Sequence, residues 1–450
     1  MATEIRMPAL SPAMEEGRLS RWFVAEGDAV EPGDVIAEIE TDKATLEFEA
    51  VAAGRLDRIL VPEGGDPVKV DTPIALLVPA NDATRPAATA AESAAPAPAP
   101  VTRPRPRGAR AAAIPEPGWP AGAHLSPLIV REALRDALTE EMRRDESVFV
   151  IGEEVGMAEG PYRVTQGLLD AFGAARVIDT PVTEAAFAGI GVGAAFAGQR
   201  PVVEFMNLSF ALQAMDQIVN SAAFTHYMSG GEIACPIVFR GPNGAAGRVG
   251  AQHAMCFAAW FAHIPGLRVV YPYAASDAKG LLKAAIRDPN PVIFLENERL
   301  YGKSFEVPAL DDHVVAFGRA RIWRSGGDVT LASYGPAMAA TLEAAEALAD
   351  DGIEAEVIDL RTLRPLDVDT VAQSVTRTHR LVTVEEGWPQ GGIGAHLAAE
   401  VTRAAFDWLD APVASVTGAD VPMPYAETLE RAALPCAEDV IAAVRQVRYR

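Results

Sequence analysis

The sequence predicts an α/β protein: a small all-β sandwich at the N-terminus, then two α/β domains built on parallel sheets. Three observations carry this expectation. Residues 5–78 read as short strands broken by Gly, Pro and Asp turns, and one hairpin unit occurs twice, as VAEGDAVEPGDVIAEI from Val24 and VPEGGDPVKVDTPIALL from Val61. Residues 80–123 are dominated by Ala and Pro, a composition that forms neither helix nor sheet and has little to bury. From Leu125 onward amphipathic helices alternate with short apolar strands, the pattern of parallel sheets with crossover helices. The expected divisions are therefore 1–79, 80–123, 124–310 and 311–450.

Bulk properties narrow the function classes. A chain of 450 residues exceeds one core, and 49% hydrophobic content supplies several. A net charge of −22 argues against nucleic acid or an anionic membrane as partner, since both need basic surface. The three cysteines, Cys235, Cys256 and Cys436, lie far apart without metal-ligand spacing, which suits a reducing compartment. MATEIRMPAL has no apolar signal core, and no run approaches the ~20 apolar residues of a membrane span. The cytoplasm is the expected location.

In the first domain the repeat implies two sheets related by a pseudo-two-fold axis. Between its copies, Leu46, Phe48 and Ala50 fall on one strand face and Thr45, Glu47 and Glu49 on the other. That leaves 41–44 as a turn with Lys43 at its tip. Such a lysine is ordinarily just solvated. This ETDKA turn, however, resembles that of lipoyl domains, with Asp42 where biotinyl domains carry methionine. The resemblance implies lipoate on Lys43, and an exposed hairpin tip suits an arm that must visit several sites. The linker, stiffened by proline, could reach ~120 Å at ~3.1 Å per residue. Its basic cluster, Arg103, Arg105, Arg107 and Arg110, could dock an acidic partner.

The body opens with a helix, the strand Val148–Ile151 and the acids Glu153 and Glu154. RVIDTPVTE then delivers Glu184 at a strand's carboxyl end, where open α/β sheets bind ligands. Thr180-Pro181 imposes an extended entry, and Thr183 is placed to cap the helix that follows. Along that helix Ala185, Gly189, Gly193 and Ala197 recur every four residues, a stripe almost without side chains. Each interior glycine costs roughly 1 kcal/mol against alanine, so Gly189, Gly191 and Gly193 predict a closely approaching backbone. Next come the strand Pro201–Phe205, a long helix bearing Phe210 and Gln213, and a glycine-rich loop ending at His253. Taken alone, a first-turn acid is a favourable charge at the helix dipole. A lone histidine at a loop end is ordinarily a satisfied polar group, and His226 and His263 keep that reading.

Longer strings shift the balance. DTPVTEAAFAGIGVGAA, EFMNLSFALQAMDQIVNSAA, FRGPNGAAG, AQHAMCFAAWFAH, PGLRVVYP and DAKGLLKAAIRDPNPVIFLENERLYG together resemble the pyrimidine-binding half of transketolase-like thiamine diphosphate enzymes. Within that group the strings are most similar to the pyruvate dehydrogenase E1 β type. The resemblance implies that Glu184 hydrogen-bonds N1′ of the cofactor's aminopyrimidine and that Phe210 lies against the ring. Val182, Met206 and Gln213 are implied nearby. His253 is implied as an acid–base or positioning group for the 2-oxo acid adduct or the incoming lipoyl group. Ile237, Ala285, Ile286, Asp288 and Asn290 match positions that hold potassium, largely through backbone carbonyls. Unaided, RDPNP reads as a tight turn. One departure stands out: Arg248 occupies a position usually small or apolar, and it serves either a local salt bridge or a reach toward substrate.

The region from about 325 repeats strand, helix, strand and resembles the transketolase C-terminal domain, including VIDLRTLRPLD and VEEG. That implies subunit anchoring, with Glu385 and Glu386 as interface or helix-capping groups. No Gly-Asp-Gly, the family's magnesium and diphosphate motif, occurs in the chain. The resemblance therefore implies that an E1 α subunit holds the diphosphate and Mg2+ within an α2β2 heterotetramer. The expected function is decarboxylation of pyruvate and acetylation of lipoyl groups, yielding acetyl-CoA in a complex with an E2 dihydrolipoamide acetyltransferase core. A tethered lipoyl domain would raise the local concentration of acceptor arms. The alternatives are a branched-chain or acetoin substrate, or a lipoyl carrier and scaffold with a silent E1 half.

Overall fold

The structure, a computed structural model, describes residues 3–8, 16–31, 33–40, 45–50, 52–78, 119, 122–310 and 312–449. It divides into two units, Met1–Arg103 and Pro104–Arg450.

The first unit is a sandwich of two four-stranded sheets. Its sequence repeat becomes a structural one. Glu16–Trp22 pairs with Val35–Glu40, as Gly54–Ile59 pairs with Pro73–Val78, and both pairs are antiparallel. The short strand after each turn crosses to the other copy: Ala29–Val30 joins Gly54–Ile59, and Val68–Lys69 joins Glu16–Trp22. The two halves thus interlock, and Leu19, Ile36, Ile39, Leu56, Ile74 and Leu77 pack into one core, the irregular register of these strands letting residues three apart both face inward. At the first turn, Gly27 takes a positive φ of 102° that glycine alone adopts cheaply, while the Asp28 carboxylate accepts from the Ala25 N–H at 2.8 Å.

The second unit carries a seven-stranded sheet in the order Val177–Asp179, Val148–Gly152, Arg200–Glu204, Val238–Pro242, Val292–Glu296, Arg268–Val270, Thr362–Arg364. The first six run parallel, and the last is antiparallel to its neighbour. A five-stranded sheet follows from the C-terminal half, with Ala355–Asp359, Val329–Ser333, Leu381–Val384 and Ala414–Val416 parallel and Arg321–Arg324 antiparallel at its edge. The strand Thr362–Arg364 belongs in sequence to the C-terminal half, yet it closes the sheet of the first. One hydrophobic core accordingly runs from Phe187, Val203 and Phe239 through Tyr334, Ile358 and Leu397. No helix among the described residues is long and apolar enough to cross a membrane.

Two local expectations fail. The segment after Asn207 is not one long α-helix: it winds as a 3-10 helix over Leu208–Ala214, a π-helix over Gln217–Ala223 and an α-helix over Phe224–Met228. Apolar periodicity does not distinguish these windings, and such breaks cluster at functional sites. Thr183 stands at the N-cap of helix Glu184–Phe196, but its hydroxyl donates to the Pro181 carbonyl at 3.0 Å and supplies no side-chain cap to the helix. A local backbone acceptor has won the competition.

Candidate active site

The first strand of the large sheet, Val148–Gly152, lies between Val177–Asp179 and Arg200–Glu204. The chain leaves it to one side and then crosses to the other, which opens a crevice beyond its carboxyl end. Register brings Gly152 level with both Asp179 and Glu204. The residues just past these three positions therefore converge on one edge. Glu153 follows the first, Glu184 opens the helix after the second, and Met206 follows the third.

Glu184 is 5% exposed and accepts no hydrogen bond from the described residues. Beside it Glu153 is also buried, and its Oε1 has no partner. Burial pushes the Glu153 carboxyl above its usual range, the Glu184 carboxylate pushes it further, and a bond from the Thr183 N–H opposes both. Nothing in the sequence gives Glu153 a role, because only the fold places it against Glu184. The loop that follows is pinned by Asp179, whose carboxylate accepts from the N–H groups of Gly156 at 2.6 Å and Met157 at 3.0 Å.

Phe210 and His253 meet edge to face, with ring centroids 5.2 Å apart at 87°. Asn207 makes that meeting. Its side-chain oxygen caps the 3-10 helix bearing Phe210 by accepting from the Ser209 N–H at 2.8 Å, and its Nδ2 donates to the His253 carbonyl at 2.9 Å. This residue escaped the sequence reading, although an asparagine just before an apolar helical run is a recognisable cap signal. Met206, Phe210 and His253 are half-buried, whereas Gln213 and Val182 lie on the open surface, Val182 at 75% exposure.

The glycines of helix Glu184–Phe196 play different parts. A Cβ on Gly191 would stand 2.7 Å from Val203 Cγ2, so this glycine lets the helix settle on the sheet. Gly193 faces open space, and Ile190 and Phe196 on the same helix are exposed.

Several of the residues expected at the cation fall in one hydrogen-bonded region. The Val292 N–H donates to the Ile237 carbonyl at 2.9 Å, and Asp288 Oδ1 accepts from the Asn290 backbone and side chain at 2.8 Å each. Arg200 Nη1 donates to the Ile286 carbonyl at 2.8 Å and to that of Asp288 at 3.3 Å. Each of these carbonyls keeps a second lone pair, and oxygen donors of this kind suit a hard cation. Buried Ala285 lies in the same turn.

Arg248 turns to the C-terminal half, with its Nη1 3.5 Å from Glu427 Oε2. Glu385 is a helix cap: it accepts from the N–H groups of Gly394 at 2.8 Å and Ile393 at 3.2 Å, and from the Tyr334 hydroxyl at 2.7 Å. Glu386 accepts from the Ala245 N–H, and burial pushes its carboxyl up to about 7. Burial also pushes the Cys235 and Cys256 thiols up to about 12, so neither is a ready nucleophile. Lys43 lies outside the described residues; the last backbone pair flanking it is Glu40 with Thr45.

Comparison with known proteins agrees with this architecture. Residues 126–303 match the transketolase pyrimidine binding domain, 318–440 the transketolase C-terminal domain, and 3–77 the biotin/lipoyl domain described as "biotin-requiring enzyme". Fold and site together define a transketolase-type, pyrimidine-binding protein joined to a domain of the biotin- and lipoyl-carrying class. A solved structure titled "Split gene transketolase, inactive beta4 tetramer" shares the fold at a TM-score of 0.58 and 24% identity, over 71% of this chain and 98% of that one. The chain is 59% identical to the pyruvate dehydrogenase E1 component subunit beta of Rhizobium meliloti over the whole of both chains. The protein of that name from Rickettsia felis is 59% identical over 72% of this chain and 98% of its own. The mitochondrial subunit beta-1 of Arabidopsis thaliana is 57% identical over 72% of this chain and 90% of its own. The chain belongs to the family of pyruvate dehydrogenase E1 β subunits, and its activity is that of pyruvate dehydrogenase.

Proposed function

We propose that this chain supplies the pyrimidine-side half of a thiamine diphosphate site, with Glu184 as its essential acid. The observation that carries the reading is a buried carboxylate at the carboxyl edge of a parallel sheet that accepts no hydrogen bond from the described residues. Such a group is costly unless a ligand pairs with it. An aminopyrimidine fits: N1′ takes the Glu184 hydrogen bond, and the half-buried Phe210 ring, with Met206, offers an apolar face. Val182 and Gln213 line the open side, where a second chain closes the site. When bound, thiamine diphosphate supplies the carbanion-stabilising chemistry of 2-oxo acid decarboxylation. Burial and the neighbouring Glu184 carboxylate both raise the Glu153 carboxyl, which favours the protonated form of Glu153 beside Glu184. His253, set against Phe210, delivers or removes a proton at the reacting substrate or orients the incoming lipoyl group.

The diphosphate and its Mg2+ belong to an α subunit, because no Gly-Asp-Gly occurs here. Exposed Ile190, Phe196 and Leu212 beside the open Gly193 form the face on which that partner or a second β chain seats, giving α2β2. Potassium is held by the carbonyls of Ile237, Ala285, Ile286 and Asp288 with Asn290. Lys43 carries lipoate, the E2 core receives the acetyl group, and the enzyme works in the cytoplasm. The divisions 1–79, 80–123, 124–310 and 311–450 correspond to carrier, tether, pyrimidine-binding domain and C-terminal domain.

The deciding experiment is Glu184→Ala in enzyme reconstituted with the α chain. Decarboxylation of pyruvate is expected to fall about 10²- to 10⁴-fold. Undiminished decarboxylation would instead favour a carrier with a silent E1 half. Intact mass of the native chain is expected to show one lipoyl increment, localised by digestion to Lys43.

A further inference from the structure

The loop from Asn243 to His253 is fixed firmly at both ends. Asn243 is buried: its N–H donates to the Glu296 carbonyl at 2.7 Å, and its side-chain oxygen accepts from the Phe257 N–H at 2.9 Å. At the far end Asn207 holds the His253 carbonyl at 2.9 Å. The middle is another matter. Gly247, Arg248, Ala251 and Gln252 are exposed, and the backbone takes positive φ values of 61° at Arg248 and 76° at Gly250. A non-glycine residue in that region is held there by its surroundings.

Those surroundings come from one segment of the C-terminal half. The Arg248 N–H donates to Glu430 Oε1 at 3.3 Å, and the Glu430 carboxylate is itself buried at 8% exposure. The Arg248 guanidinium reaches Glu427 at 3.5 Å. The Tyr425 ring lies directly on Gly250, where any Cβ would overlap it, while the rest of that ring is open to solvent. An exposed tyrosine on a backbone glycine three residues before His253, beside a buried acid that bonds the loop's own N–H, is a mechanical arrangement.

We propose that Tyr425 and Glu430, assisted by Glu427, form a clamp that positions His253 by gripping the loop at Arg248 and Gly250. These are positioning residues, since the contacts they make are with Arg248 and Gly250 of the loop that carries His253. The C-terminal half thereby gains a part in the reaction beyond subunit anchoring, and Arg248 serves a local contact instead of meeting substrate. The consequence for function rests on the reading of His253 given above; the grip itself does not.

The test uses assembled α2β2 enzyme and two readouts. Hydrogen exchange of the backbone amides at 246–252 reports the grip. Steady-state kinetics with pyruvate, measured with lipoyl acceptor, report the consequence. In Tyr425→Ala and Glu430→Gln, exchange over 246–252 is expected to quicken about tenfold or more, with exchange elsewhere unchanged. The kcat is expected to fall about 10- to 100-fold with KM for pyruvate within about twofold, as for a misplaced catalytic group. Tyr425→Phe, which keeps the ring, is expected to restore both. Wild-type exchange in Tyr425→Ala and Glu430→Gln overturns the clamp, as does Tyr425→Phe behaving like Tyr425→Ala. An unchanged kcat in His253→Gln overturns the role of His253 alone, and the exchange rates then still decide the grip.

Discussion

Two pairs of buried glutamates occupy comparable places in the two halves of the body, and they are treated in opposite ways. Glu385 and Glu386 follow the strand Leu381–Val384 and are met by donors of their own chain: the Tyr334 hydroxyl and the Ile393 and Gly394 N–H groups on one, the Ala245 N–H on the other. Glu153 and Glu184 gather at the carboxyl edge of the larger sheet, where Glu153 Oε1 has no partner and Glu184 receives none from the described residues. All four lie between 2% and 8% exposed, so exposure alone cannot separate structure from chemistry. What separates Glu385 from Glu184 is the donors that meet the carboxylate: three on Glu385, and none on Glu184 from the described residues. An answered acid holds elements together, while an unanswered one waits for a ligand.

Substitutions can break that contrast. Glu184→Gln in assembled enzyme is expected to lower kcat about 10²- to 10⁴-fold while leaving the melting curve of the chain level or raised. Glu385→Ala is expected to do the reverse. It strands a buried hydroxyl and two helix N–H groups, costing about 2–4 kcal/mol in denaturant unfolding, with kcat per folded enzyme retained. Parallel losses of activity and stability in both variants would erase the distinction.

Glu386 sharpens it through pH. Its folded carboxyl is raised to about 7 against an ordinary value of 4.5, so over that interval the folded chain keeps a proton that the unfolded chain has released. Stability from this group therefore falls as pH rises from 4.5 to 7 and is level above. Glu386→Gln is expected to flatten that slope, gaining about 1–3 kcal/mol over wild type across the window when unfolding is measured at both pH values.

The smallest effects lie within one helix. Gly191→Ala pushes a methyl into Val203 and is expected to cost about 1–3 kcal/mol. Gly193→Ala meets nothing among the described residues and is expected to stabilise the chain by up to about 1 kcal/mol, with weaker association with the α chain seen by native mass spectrometry.

Much of this was readable in the residues, and the gaps have definite causes. The duplicated hairpin of the N-terminal unit was visible because each copy is local and its alternation period is two. Glu184 was visible because a strand, a Thr-Pro entry and a glycine-rich helix surround it in sequence. For Glu385 the resemblance left an interface or a helix-capping role open, and only the fold brings it to the N–H groups of Ile393 and Gly394. The strand Thr362–Arg364 was assigned to the C-terminal half because nothing local reveals that it pairs across a long separation with Arg268–Val270. The 3-10 and π windings after Asn207 carry the same apolar spacing as an α-helix. Asn207 itself binds two places at once, and only one of its bonds is local. The closeness of Glu153 to Glu184 depends on strand order, which no motif encodes.

The uncovered face of helix Glu184–Phe196 carries a cellular implication. A copy made without its counterpart displays Ile190, Phe196 and Leu212 around bare glycine backbone to every other molecule nearby. Surplus chain is then a liability to solubility as well as idle catalyst. The ratio in which the two polypeptides are synthesised becomes a quantity the cell has to keep in balance.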